Sequence, residues 1–145
     1  MVKLVPFKRW HMAWLQEQAG ADRGFMFDTE TLLTLEKQNS WTLVADMLPV
    51  ACGGTVQHWP GRHMAWSYLN KNTGPHMVAI TKAVQAKLKP VAGRIELTVL
   101  HGFEPGHRWA RILGFKVETP EMPLFGPNGE THTGYVRFNE GQGNG

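Results

Sequence analysis

Two segments in the middle of the chain carry the patterns of β-strands. In the segment 62–69, side chains alternate between the set His63, Ala65 and Ser67 and the set Met64, Trp66 and Tyr68, and the segment 94–100 is rich in β-branched residues. Between them, apolar residues recur at helical spacing from Met77 to Leu88 within a predicted helix over 75–88. The centre of the chain therefore predicts a strand–helix–strand crossover.

The flanking segments continue the alternation of strands and helices. Strands are predicted over 2–5, 41–45, 50–59, 115–118 and 132–138, and helices over 10–19, 29–38 and 104–113. This order predicts a single α/β (α+β) domain over 1–138, in which about four helices flank one sheet. The last residues, 139–145, are rich in glycine and are predicted to form a disordered tail.

Large apolar residues indicate where the core lies. Trp10 and Trp14 stand at apolar helical positions, and we expect both to anchor the first helix in the core. The inner faces of the central strands and of the last helix are expected to bury Trp66, Ile95, Leu97, Val99, Trp109 and Leu113. The pair Gly53-Gly54 inside a strand predicts a bulge or a bend there.

The composition excludes several classes of protein. Hydrophobic residues make up 42% and charged residues 19% of the 145 residues, which is typical of a folded globular chain. No apolar run approaches the roughly 20 residues of a membrane span, and no apolar leader segment begins the chain, so we expect a cytoplasmic protein without a membrane partner. Because Cys52 is the single cysteine, an internal disulfide and a cysteine-rich zinc site are excluded, and no metal is expected.

Basic residues concentrate in the middle of the chain. Nine basic and two acidic residues lie between Arg62 and Lys116, within a net charge of +3 for the whole sequence. This indicates a local site for a polyanion, with an ordinary solvated basic face as the alternative. Nucleic acid is not expected as a partner, because aromatic and basic residues interleave only at Trp109, between Arg108 and Arg111.

The order of elements and the stretch from Glu104 to Phe115 (EPGHRWARILGF) resemble the GNAT N-acyltransferase superfamily, in which such a stretch is a helix that runs into a strand. The segment from Phe125 to Arg137 (FGPNGETHTGYVR) is similar to the closing segment of small phage and prophage proteins of this kind. The resemblance covers residues 2–138. It implies a mixed, mostly antiparallel sheet with two splayed parallel strands at its centre. The function that it implies is acyl transfer from acetyl-CoA to an amine-bearing small molecule or protein.

The resemblance also implies a loop that binds the pyrophosphate of acetyl-CoA through backbone N–H groups. The family writes this loop as Gln or Arg, two residues, Gly, one residue, and Gly or Ala, and the matching window from Lys71 to His76 (KNTGPH) is degenerate. Pro75 removes one N–H, and His76 replaces a small residue. The alternative is a plain strand–helix turn that Thr73 caps. The residues that the resemblance assigns to the cofactor are Tyr68, Leu69, Lys71, Thr73, Gly74, His76, Met77 and Lys82.

Acyl transfer to an amine needs a base for the ammonium and an acid for the leaving thiolate. The family often supplies them as a carboxylate on its fourth strand and a tyrosine in the helix before the Gly-Phe pair. Ser67 and Ala110 stand at those positions here. His101, directly after the strand 94–100, is the predicted acid–base group because imidazole titrates near neutral pH. Ser67 remains a second candidate catalytic residue, and the histidines of the preceding hairpin, His58 and His63, are further choices.

Two other functions stay open. A GNAT-like protein without catalysis could serve as a phage virion-assembly or structural protein and be virion-associated, and a host-directed protein could use the basic face to bind an acidic partner or nucleic acid. A second copy of the chain, or a phage or host protein, is then the partner. The crossover and the basic centre favour the enzyme, whereas Ser67, Ala110, Pro75 and His76 favour the assembly protein.

Overall fold

The computed structural model describes residues 2–15, 29–70 and 73–140. Within these ranges the strands and helices follow the predicted order. They are β1 (Val2–Pro6), a 3-10 helix (Arg9–Ala13), α1 (Thr29–Lys37), β2 (Asn39–Ala45), β3 (Leu48–Trp59), β4 (Arg62–Leu69), a 3-10 helix (Gly74–His76), α2 (Met77–Leu88), β5 (Gly93–Leu100), α3 (Glu104–Ile112), β6 (Lys116–Met122) and β7 (His132–Asn139). The described part of the predicted first helix overlaps the first 3-10 helix, and the last four residues of that predicted helix, 16–19, lie outside the described residues.

All seven strands belong to one sheet, in the order β1-β2-β3-β4-β5-β7-β6. Neighbouring strands are antiparallel except for β4 and β5, which are parallel because α2 crosses over between them. The predicted mixed, mostly antiparallel sheet with a parallel pair at its centre is confirmed. None of the helices in the described part of the chain has the length and apolar character needed to cross a membrane.

Each face of the sheet carries its own hydrophobic core. On one face α2 and α3 pack on the strands, and on the other face the first 3-10 helix and α1 do so. The alternation along β4 divides its side chains between the two, since Ala65 joins the first core and Trp66 the second. The first core is built around Leu43, Ile80, Val84, Leu88, Ile95, Leu113 and Tyr135, and the second around Phe7, Leu15, Leu35 and Cys52.

The expected core residues fall into two groups. Ile95 and Leu113 are buried as predicted. The other four, Trp66, Leu97, Val99 and Trp109, are half-buried and pack at the edges of the two cores. Trp109 lies between α3 and α2, where its indole Nε1 donates a hydrogen bond to the hydroxyl of Thr81 at 2.9 Å.

The expectation that Trp10 and Trp14 anchor the core is wrong. Their side chains are 60% and 52% exposed. Phe7, His11 and Leu15, which are four residues apart along the same stretch, are buried instead. The 3-10 helix over 9–13 is therefore rotated about its axis relative to the predicted helix. His11 faces the strands, whereas Trp10 and the following Trp14 face solvent.

Of the bulge or bend predicted at Gly53-Gly54, the bulge is not formed. The pairing of β3 with β4 runs without a shift through Gly53, opposite Ser67, and Gly54, opposite Trp66. The glycines are needed for space instead. A Cβ on Gly53 would lie 2.8 Å from the ring of Trp41, and one on Gly54 would collide with the backbone of β2.

The last strand fastens the carboxyl ends of two helices. The side-chain amide of Asn139 donates to the carbonyl oxygens of Leu88 and Val91, at 2.9 and 2.8 Å, just after α2. Arg137 donates to the carbonyl oxygen of Leu113 at 2.8 Å, at the end of α3. Asn139, the first residue of the predicted tail, therefore ends β7, while residues 141–145 of that tail lie outside the described residues.

Candidate active site

The parallel pair at the centre of the sheet comes apart after three residues. Residues 62–64 of β4 pair with residues 94–96 of β5. Further along these two fully described strands, residues 65–69 and 97–100 no longer pair with each other, while β3 and β7 continue to pair with their outer edges. A cleft therefore opens towards the carboxyl ends of β4 and β5, which is where open α/β sheets bind their ligands.

An ion-pair cluster fastens the closed end of this cleft. The carboxylate of Glu96 accepts hydrogen bonds from Arg62 Nε at 3.0 Å and Nη2 at 2.9 Å, and it also pairs with Arg94. Arg94 in turn pairs with Glu118 on β6. The hydrogen bonds from Arg62 hold the pKa of Glu96 below its ordinary value, against the opposing effect of burial. Two basic residues of the central segment are thus used within the protein.

His101 lies at the open end, directly after β5, with its ring towards β7 and β6. Its Nδ1 is 3.1 Å from the hydroxyl oxygen of Thr133, and that hydroxyl donates its single proton to the carbonyl of Pro120. Thr133 can therefore only accept, so Nδ1 carries the hydrogen and Nε2 holds the lone pair. The carboxylate of Glu121 lies 3.5 Å from Nε2. This arrangement suits a base whose protonated form a carboxylate stabilises.

A buried network below α3 holds the turn that carries His101. Nε2 of His107 lies 2.7 Å from the carbonyl oxygen of His101, and Nδ1 lies 2.6 Å from the hydroxyl of Tyr135. A carbonyl only accepts, so Nε2 of His107 donates and Nδ1 accepts from Tyr135. These two side chains are 7% and 2% exposed. The N–H of His101 donates to the carbonyl of Thr131 at 3.0 Å, so the turn is held from two sides.

The sequence analysis missed Glu121, His107 and Tyr135. The one local signal for them was a polar residue, His107, on the inner face of a helix, three residues before the buried Ala110. The partners of His101 and His107 come from strands 20 to 32 residues away along the chain, and no pattern within the helix points to them.

The second candidate catalytic residue, Ser67, lies on a wall of the cleft. It is half-buried opposite Gly53, on the face of the sheet that carries α2 and α3. Ala110 is buried in the core below α3. Segments 65–69 and 97–100, which form the two walls, contain no carboxylate. His58 and His63 lie towards the closed end, and the structure does not bring them near His101.

The loop after β4 leads into a tight turn. The N–H of His76 donates to the carbonyl of Thr73 at 2.8 Å, and the N–H of Met77 donates to the carbonyl of Gly74. Pro75 has no N–H. The hydroxyl of the buried Thr73 makes no capping bond, so the cap that the alternative interpretation required is absent at this described residue. A Cβ on Gly74 would meet no atom within 4 Å, so the space beside the turn is open.

The remaining residues assigned to the cofactor lie around this turn and the adjacent strand end. Tyr68 and Leu69 end β4 on opposite faces of the sheet. Met77 packs its side chain into the core, and Lys82 is exposed on α2. Lys71 lies outside the described residues. The structure thus gathers most of the set at the open end of the cleft.

Other parts of the surface hold fewer signs of chemistry. A groove of about 660 Å³ lies at the carboxyl ends of α2 and α3, away from the cleft, where Arg137 and Asn139 cap the helices. Over residues 2–15, 29–70 and 73–140, no group of three or more His, Cys, Asp or Glu side chains could hold a metal ion.

No protein-family model matches the chain, and no curated protein matches it. Solved structures match it over nearly its whole length. Ard1 from Thermoplasma volcanium has a TM-score of 0.78 at 10% identity, with 95% of this chain and 97% of that one covered. The ribosomal-protein-S18-alanine N-acetyltransferase from Escherichia coli has a TM-score of 0.77 at 14% identity, with 99% and 97% covered.

A third match was solved with its cofactor, acetyl-CoA. It is yncA from Salmonella typhimurium, with a TM-score of 0.70 at 10% identity and with 98% of this chain and 96% of that one covered. At these identities the likeness concerns the fold. The seven-stranded sheet, the opened parallel pair and these matches together show that the chain has the fold of the GNAT N-acetyltransferases, as its sequence led us to expect.

Proposed function

We propose that this protein transfers the acetyl group of acetyl-CoA to an amine-bearing small molecule or protein. The observation that carries the proposal is the separation of β4 from β5 beyond Met64 and Glu96. A pantetheine arm is an extended chain with two amide groups, which can lie beside a strand edge as an added strand does. The cleft fits this arm, and the acetyl-CoA bound in yncA supports the assignment. The turn at 73–77 fits the pyrophosphate less well, since two of its N–H groups are already used.

Acetyl-CoA supplies the acetyl group activated as a thioester. In the proposed mechanism, His101 accepts the proton of the acceptor's ammonium at Nε2, so that a neutral amine can attack. Glu121 stabilises the imidazolium, and the bond from Nδ1 to Thr133 keeps the ring in the reactive tautomer. As the amine nitrogen bonds to the acetyl carbon and the carbon–sulfur bond breaks, the imidazolium gives its proton to the leaving sulfur, and the second proton of the amine nitrogen passes through His101 to solvent. One histidine thus stands in for both groups that the family usually employs.

The test is the release of free thiol from acetyl-CoA with a panel of primary amines, together with calorimetric titration of CoA. We expect His101→Ala to lower kcat by about 10²–10⁴ while CoA affinity stays the same. Thr133→Val, which keeps the size of the side chain but cannot accept from Nδ1, is expected to cause a smaller loss. No CoA binding at millimolar concentration would refute the proposal.

A second candidate is a protein of the same fold without catalysis, encoded by a phage and used in virion assembly. The buried Ala110 in place of an acid, and cleft walls without a carboxylate, favour it. It predicts no thiol release with any amine, and a His101→Ala variant that changes stability only slightly. The enzyme is expected in the cytoplasm of a bacterial host, whereas the assembly protein is expected in purified virions.

A further inference from the structure

We infer that this protein recognises its acyl donor by the pantetheine arm and not by the nucleotide, so that pantetheine thioesters lacking the adenosine diphosphate part serve nearly as well as acetyl-CoA. The inference rests on the proposed function and specifies the substrate class of the same cleft. It comes from a disagreement between the two halves of the site. The strands that would hold the arm are separated, whereas the described residues of the turn that would hold the pyrophosphate, 73–77, have few N–H groups to offer.

A pyrophosphate is usually bound by several backbone N–H groups of a loop and a helix N-terminus that point at the same place. The turn before α2 offers few of them. Among Gly74, Pro75, His76 and Met77, one residue lacks the group and two donate it to carbonyl oxygens inside the turn. Each hydrogen bond to a charged group is worth about ten- to a hundred-fold in affinity, so the missing donors matter.

The backbone conformation of the turn leads to the same conclusion independently. Anion-binding nests need successive residues of alternating hand, so that neighbouring N–H groups converge. Thr73, at φ −76° and ψ −12°, and Met77, at φ −61° and ψ −34°, are right-handed. None of residues 73–77, all of which the structure describes, has a positive φ. The chain here has the conformation of an ordinary 3-10 turn.

The walls of the cleft suit the arm. They carry uncharged and mostly apolar side chains, including the half-buried Ala65, Leu97 and Val99. Among the residues that the structure describes on α2, Lys82 is the basic residue nearest to the turn in the sequence, and it is exposed. The attraction of an exposed lysine for a phosphate is weak and is screened by salt. The nucleotide is therefore expected to add little affinity, and less at high ionic strength.

The test dissects the ligand. Calorimetric titration of the full chain with CoA, with pantetheine and with adenosine 3′,5′-bisphosphate, at about 150 mM salt, measures how much each half of the CoA molecule contributes to its binding affinity. We expect pantetheine to bind within about ten-fold of CoA, and the bisphosphate not to compete at millimolar concentration. A preference for CoA of about a hundred-fold or more overturns the inference and leaves the proposed function standing. If neither CoA nor pantetheine binds, the proposed function itself fails.

A matched variant tests the physical cause. Pro75→Ala returns one N–H to the turn and adds no charge. We expect it to raise the preference for CoA over pantetheine several-fold, with the pantetheine affinity as the internal control for folding. A preference that stays the same or falls in this variant overturns the inference that the missing N–H groups set the donor specificity.

Discussion

Asn139 makes three hydrogen bonds with one side chain, and its replacement gives the sharpest test of how β7 holds the helices. Its amide nitrogen donates to the carbonyls of Leu88 and Val91, and its oxygen accepts from Arg137 Nε at 2.9 Å. The carbonyls at the end of a helix have no partner within the helix. Asn139→Ala leaves both of them, and the guanidinium, without this partner.

The expected cost follows from these bonds. A typical hydrogen bond contributes about 1 kcal/mol net, and one to a charged group about 1.5 kcal/mol or more. Asn139→Ala is therefore expected to lower the free energy of unfolding by about 3 kcal/mol. For a domain whose whole stability is about 5–15 kcal/mol, this is a large fraction. The midpoint of urea denaturation should fall by about 1 M or more.

Two controls separate capping from other effects. Asn139→Asp keeps the oxygen that accepts from Arg137 but sets a second carboxylate oxygen against the carbonyls of Leu88 and Val91, so it should cost at least as much as Asn139→Ala. A chain shortened to end at Glu140 keeps Asn139 and its three hydrogen bonds, so it is expected to unfold like the whole protein. An Asn139→Ala variant within about 0.5 kcal/mol of the wild type would refute the reasoning.

Three further predictions concern stability. Burial lowers the pKa of His11, whose Nδ1 accepts from the N–H of Lys8 at 3.0 Å and lies 2.8 Å from the hydroxyl of Thr42. The melting temperature should therefore fall as the pH drops below 6.5, and a His11→Gln variant should lack this decline. The pKa of Glu96 is held below 4.5, so its ion pairs stabilise the folded protein fully at pH values above 4.5, and this stabilisation is lost as the pH falls further. Glu96→Gln should lower the melting temperature at pH 7 and weaken the dependence of the melting temperature on pH in acid. Gly53→Ala should destabilise the protein through contact with β2 and β4, whereas Gly102→Ala, which meets no atom within 4 Å, should be neutral in the same thermal melts.

The elements that the sequence predicted well are those whose pattern is local. The apolar stripe from Met77 to Leu88 defines one face of α2, and the alternation over 62–69 defines the two faces of β4. Such periodicities follow from backbone geometry alone. The order of strands and helices could therefore be predicted, whereas the separation of the parallel pair was implied by the resemblance to the GNAT superfamily.

The parts that the sequence did not predict depend on contacts between distant segments. Trp10 and Trp14 are of a residue type that is usually buried, but the buried positions are those of Phe7, His11 and Leu15. Packing against the sheet determines which side of so short a helix faces the core. The position of His101 could be predicted from the end of β5. Its partners could not, because a side-chain hydrogen bond across the sheet leaves no periodic trace in the sequence.

Stability and chemistry occupy opposite ends of the same pair of strands. At the closed end, Glu96 on β5 binds Arg62 on β4, and the N–H of Arg94 donates to the carbonyl of Gly61 at 2.8 Å. At the open end, His101 lies five residues, or about 16 Å of strand, beyond Glu96. Changes at sites this far apart usually add without coupling. The double variant Glu96→Gln/His101→Ala should therefore have the melting temperature of Glu96→Gln and the kcat of His101→Ala. A rate below that of His101→Ala would show instead that the closed end also sets the geometry of the cleft.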